Sequence, residues 1–176
     1  KIYDFRVETD GEIVPLPEMQ TIYQSGSATT NTYRIPALLA SKKGTILTFA
    51  EARRNSGSDT ANIDTVVRRS EDGGKTWGDE IIVFDEQDNV AGNPCPVVDC
   101  DSGTISLLLT HNLGHDVERD IIAQTSEGTR TVWLTRSEDQ GRTWTTPIEI
   151  TGTCKDPTWT WYATGPGAGI QLASGR

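Results

Sequence analysis

The sequence predicts an all-β chain built from four-stranded units of the β-propeller kind, and three observations carry that reading. Seventeen glycines and eight prolines are scattered among short runs rich in Val, Ile, Thr, Trp and Leu, the pattern of strands separated by turns. A turn motif occurs twice, as Ser70-Glu71-Asp72-Gly73-Gly74-Lys75-Thr76-Trp77 and as Ser137-Glu138-Asp139-Gln140-Gly141-Arg142-Thr143-Trp144. A strand, Gly-containing turn and strand also occur ahead of each motif, so every unit carries two hairpins.

The first hairpin of the first unit is Pro36-Ala37-Leu38-Leu39-Ala40, a turn through Gly44, and Thr45-Ile46-Leu47. It parallels Pro96-Val97-Val98, a turn through Gly103, and Thr104-Ile105-Ser106-Leu107, with Pro36 matched to Pro96. The second hairpins begin in the alternating stretches Asp64–Arg69 and Thr131–Arg136 and turn at the two S-E-D-x-G-x-T-W motifs. There the Ser and Asp side chains bond the turn's own backbone, the Gly takes positive φ, and the Trp returns to pack beneath the turn. A third copy is expected to start at Gly169-Ile170-Gln171-Leu172-Ala173-Ser174-Gly175. The chain therefore reads as about two blades plus the start of a third (residues 25–176), cut short of a complete propeller. Residues 1–24 form an N-terminal segment expected to close the last blade.

Sixteen basic residues against 25 acidic ones give a net charge of −9, which argues against a nucleic-acid partner, so any anionic ligand must be caught locally. No apolar run is long enough to span a membrane, and no signal segment begins at Lys1; the expectation is a soluble, already processed chain. Cys95, Cys100 and Cys154 lack metal-ligand spacing. His111 and His115 are separated by Gly114 after a strand pattern, against a helical metal pair. No metal and no cofactor is expected. Trp159, Trp161 and Tyr162 read as core packing rather than a sugar platform.

The S-x-D-x-G-x-T-W turns resemble the Asp boxes of sialidases, and Tyr33-Arg34-Ile35-Pro36 resembles that family's Phe/Tyr-Arg-Ile-Pro motif. Glu51-Ala52-Arg53, Asp59 in its Asn55–Asp59 loop, Asn93-Pro94-Cys95-Pro96 and Trp161–Gly167 extend the resemblance, which departs at Ala168, where many relatives carry a His. It implies a six-bladed β-propeller and a retaining exo-α-sialidase acting on sialylated glycoconjugates in a secreted, periplasmic or cell-surface setting. The alternative is a non-catalytic Asp-box propeller that binds sialylated glycans or proteins.

By resemblance, Arg34 and Arg53 bind the substrate carboxylate and Asp59 is the catalytic acid and base. Arginine suits the first task, because a planar fork grips a carboxylate bidentately and stays charged. Arg53 is preferred to Arg54 by the family spacing, and in a strand it shares a face with Glu51 while Arg54 points away. Asn93 and Glu118 are expected to line the N-acetyl pocket. The insertion from His111 to Arg130 is expected at the site rim. The implied tyrosine nucleophile, its Glu partner and a third arginine have no match in these 176 residues, so the remaining propeller, on the same or a separate chain, is an expected partner. By itself the chain is expected to be inactive.

Overall fold

The computed structural model describes residues 7–9, 12–14 and 19–175. Strands β1 (Val7–Thr9) and β2 (Glu12–Val14) pair antiparallel in a small sheet of their own. The segment 1–24 falls partly outside the described residues; β1 and β2 form a separate sheet, whereas Tyr23 packs on the first blade, its hydroxyl donating to Thr48 O at 2.7 Å.

Two four-stranded meanders follow. The first comprises β3 (Thr32–Ala40), β4 (Ile46–Arg53), β5 (Ile63–Ser70) and β6 (Ile81–Phe84), each antiparallel to the one before. The second comprises β7 (Val90–Val98), β8 (Ile105–Asn112), β9 (Thr131–Ser137) and β10 (Ile148–Glu149), paired the same way. They are two blades of a β-propeller, and the sheet they form is open. Between blades the backbone is bridged by the parallel pair Ile63 and Val90.

Ala61 N adds a bond to Gly114 O at 2.7 Å, and side chains supply the rest of the seam. Leu47 and Phe49 of β4 and Val67 of β5 pack with Ala91, Ile105, Leu107 and Leu109 of the second blade, all buried. Each fully buried side chain of this size contributes about 1.5–3 kcal/mol. Thr65 adds a hydrogen bond across the seam, its hydroxyl donating to Ala91 O at 2.8 Å. The period of two puts Glu51 and Arg53 on the same face of β4 as Leu47 and Phe49, so the seam passes from apolar to charged along one strand. The opposite face carries Ala50 and Ala52, which with Val66 form a smaller core against Tyr23 and Tyr33.

Both Asp-box turns satisfy themselves as their sequence predicts. Asp72 Oδ1 accepts from Ser70 Oγ and the amides of Lys75 and Thr76, while Oδ2 accepts from Thr76 Oγ1 at 2.6 Å. Asp139 repeats these bonds with Ser137, Arg142 and Thr143. Gly74 and Gly141 sit at φ 90° and 81°, the left-handed region where glycine carries no Cβ penalty. Trp144 packs into the seam edge-on to Phe49, ring centres 5.8 Å apart. Glu71 Oε1 ties the turns together by accepting from Arg69 at 2.9 Å and Arg142 at 2.6 Å.

Two expectations need correction. Pro36 corresponds to Pro94 rather than Pro96, because each follows a left-handed residue in a bulge of its blade's first strand, between Arg34 and Ala37 and between Gly92 and Cys95. The stretch from Gly169 to Gly175 carries the expected turn, Gly175 at φ 84° donating to Leu172 O at 2.8 Å as Gly44 does to Ser41 O at 2.9 Å, but it is not paired into a strand, and Gly169 N reaches Pro96 O at 2.8 Å.

Candidate active site

The two bulges build the site. Proline cannot donate to a strand ladder and so sits at an edge or in a bulge. Ile35 before Pro36 and Asn93 before Pro94 both take φ 53°, a conformation costly for a residue with a side chain, above all a β-branched one. Each bulge breaks the regular alternation of its strand beside a residue of interest, Arg34 in β3 and Asn93 in β7.

Arg34 and Arg53 converge on one atom. Asp59 Oδ1 lies 3.3 Å from Arg34 Nη1 and 2.6 Å from Arg53 Nη2. Their surroundings differ, for the Arg53 side chain is 3% exposed whereas Arg34 and Asp59 are 46% and 58% exposed. Arg53 is fixed from three sides: Nε and Nη2 donate to Glu51 Oε2 at 3.0 and 2.6 Å, and Nη1 donates to the carbonyls of Gly57 and Ser58, both at 2.8 Å. The last two bonds set the loop that carries Asp59. Arg54 faces the other way, bonding Asp64 Oδ2 and Thr30 Oγ1 at 2.6 Å.

Asn93 is a hub. Its amide donates to Glu51 Oε1 at 2.9 Å, its Oδ1 accepts from Thr110 Oγ1 at 3.0 Å and Arg130 Nη1 at 2.8 Å, and its carbonyl accepts from Thr164 Oγ1 at 2.6 Å. Glu51, 3% exposed, thus reaches the second blade through Oε1 and holds Arg53 of its own strand through Oε2. That approach requires glycine at position 92, because a Cβ there would run into the Glu51 carboxylate. Glu118 opens a short helix, α1 (Glu118–Ala123), within the rim insertion. The insertion is anchored by buried Ile121 and by Asp116, which accepts from the amides of Glu127 and Gly128.

Arg53, Asp59, Asn93 and Glu118 line a cavity of about 170 Å³ with Arg130 and Trp161, while Arg34 stands outside that lining and meets it through Asp59. Sequence reasoning missed Glu51, Arg130 and Trp161 as site residues. Trp161 lies under the Arg130 guanidinium, 3.6 Å from carbon to ring centre, and so borders the cavity instead of the core. Trp159 and Tyr162 stack on each other at 5.7 Å, with Trp159 half exposed. Among the described residues no cluster of metal-ligating side chains occurs. The site is a pair of guanidiniums beside a carboxylate and a polar pocket, suited to gripping an anionic ligand and exchanging a proton with it.

Residues 44–176 match the family of the BNR repeat-like domain. The chain is 36% identical over 163 residues to an exo-alpha-sialidase of Aspergillus fumigatus, covering 83% of this chain and 40% of that protein. Against sialidase-4 of Mus musculus it is 37% identical over 173 residues, covering 92% and 35%. A solved structure titled Hadza microbial sialidase Hz136 superposes with a TM-score of 0.79 at 31% identity, over 94% of this chain and 36% of that one. The chain spans about two fifths or less of the length of these relatives.

Proposed function

The chain belongs to the sialidase family, and on that premise we propose that it supplies two blades and part of the active site of a retaining exo-α-sialidase acting on sialylated glycoconjugates. The observation that carries this reading is the convergence of Arg34 and Arg53 on Asp59. Two guanidiniums aimed at one point fit a carboxylate borne on an anomeric carbon, and a carboxyl at the same point can deliver a proton to the leaving oxygen.

In this reading the substrate carboxylate competes with Asp59 Oδ1 for the arginine Nη atoms. Exchange leaves the arginines neutralised by substrate and frees Asp59 to face the glycosidic oxygen, first as acid and then as base toward water. Arg53 cannot swing with the exchange, because Glu51 and the loop carbonyls hold its other nitrogens. Arg34, more exposed, is the adjustable partner. Asn93 and Glu118 border the N-acetyl pocket. The covalent nucleophile and a third arginine come from the rest of the propeller, on this polypeptide or another, since two open blades do not encircle a ligand.

The experiment is hydrolysis of a fluorogenic α-sialoside by the complete propeller and by the 176-residue chain alone. Release of fluorophore by the first and not by the second is expected. Binding of sialosides with no release by the complete propeller would instead establish a lectin-like propeller.

A further inference from the structure

Arg130 is 4% exposed, yet among the described residues it makes no ion pair, whereas Arg53 and Arg54 each pair with carboxylates. Burying a guanidinium without a direct counter-charge is costly. Part of that cost is offset by the Trp161 ring and by the acceptors Asn93 Oδ1 and Tyr162 O, at 2.8 and 3.2 Å from Nη1. Burial pushes the group down to about 10, against the raising influence of Glu51, Asp59 and Glu118, so it is still charged at neutral pH.

Two of its nitrogens lack an acceptor among the described residues. Nε is sealed from solvent; Nη2 is not sealed, and the residue lines the cavity that holds Arg53 and Asp59. Asn93, by contrast, has its Oδ1, its amide and its carbonyl committed to protein partners, and Nδ2 donates to Gly165 O at 3.4 Å. Asn93 Nδ2 keeps one neutral N–H free, so among the described residues the charged donor left to meet a ligand on the second-blade side of the cavity is Arg130 Nη2.

We infer that Arg130 is a ligand-contacting residue whose Nη2 donates to an acceptor oxygen on a ring or side-chain substituent of the bound sugar, with Asn93 and Trp161 positioning it. This rests on the sialidase reading, and it assigns the recognition of one substituent to a buried cation rather than to the Asn93 amide. A charge-assisted bond from a largely buried guanidinium discriminates against a ligand that lacks the acceptor, because the cation is then left without a partner on the ligand.

The test pairs Arg130→Met, which keeps an unbranched side chain over Trp161, with a series of fluorogenic sialosides in which one oxygen-bearing substituent at a time is replaced by hydrogen. In the complete wild-type propeller one such replacement is expected to lower kcat/KM by about 10-fold or more, chiefly through KM. In the variant the parent sialoside loses a similar factor, and that same replacement has no further effect. If Arg130→Met does not fold, Arg130→Gln, which can still donate to Asn93, serves for the same comparison. A uniform loss across the whole series would mean that Arg130 is only structural and would overturn the inference while leaving the sialidase reading intact. No hydrolysis of any sialoside by the wild type would sink both.

Discussion

Glu51 on the first blade and Asn93 on the second are joined by a 2.9 Å hydrogen bond from the Asn93 amide to Glu51 Oε1, while Glu51 Oε2 holds Arg53. One buried carboxylate thereby sets the position of the Arg53 guanidinium and fixes the bulge facing it.

Glu51→Gln is expected to cost about 1–3 kcal/mol of folding stability, because it removes the buried one of the two carboxylates that neutralise Arg53 and leaves only the exposed Asp59. Urea denaturation of the 176-residue chain measures it. A loss below about 0.5 kcal/mol would mean that Arg53 is neutralised some other way.

Gly92→Ala adds a single methyl group, which must displace the Glu51 carboxylate. A destabilisation of about 1–3 kcal/mol is expected, together with weakened sialoside binding. Combined with Glu51→Ala, which vacates the space, the further cost of Gly92→Ala should shrink markedly, and the double-mutant cycle reads that coupling.

The Asp boxes give an acid limit. Bonds from the Thr76 hydroxyl and amide and the Ser70 hydroxyl hold Asp72 well below the usual carboxylate range. At Asp139 burial pushes upward, but bonds from Thr143, Ser137 and Arg142 outweigh it and leave the group at about 2. A carboxyl depressed in the folded state contributes stability above its unfolded value, roughly 3.9, and loses it as pH falls through the folded value. Thermal melting should therefore weaken between about pH 4 and about pH 2. Asp139→Asn should flatten that slope and cost about 1–3 kcal/mol at neutral pH.

Asp59→Asn in the complete propeller is expected to lower kcat by about 10²–10⁴-fold. KM should stay the same or fall, since the substitution removes the carboxylate that occupies the arginines. Arg34→Lys should act oppositely, raising KM by roughly 10-fold with a smaller change in kcat. Steady-state kinetics on one fluorogenic sialoside separates the two, and parallel losses in both variants would count against distinct roles.

What the sequence made legible was local. Both Asp-box hairpins and the opposite faces of Arg53 and Arg54 follow from turn chemistry and a period of two, which neighbours in the chain determine. The slip that matched Pro36 to Pro96 has the same origin: a shift of two residues keeps every side chain on its face, so alternation alone does not detect it. The x-Pro pairs Ile35-Pro36 and Asn93-Pro94 were the available signal, since proline inside a strand pattern marks a bulge. Glu51, Arg130 and Trp161 gain their places only when strands far apart in the chain meet at the seam, and nothing in their immediate neighbours in sequence announces it.

Backbone bonds join the blades near Ala61 and Ile63, and elsewhere the seam is side chains, so the gap between Arg53 and Arg130 is calibrated by methyl and ring volumes lower in the layer that separates them. Trimming Phe49 or Leu109 by a carbon or two would let one wedge lean toward its neighbour and narrow or widen the mouth above. On the proposed function, selectivity for ligands of different girth is then adjustable from hydrocarbon remote from the cavity.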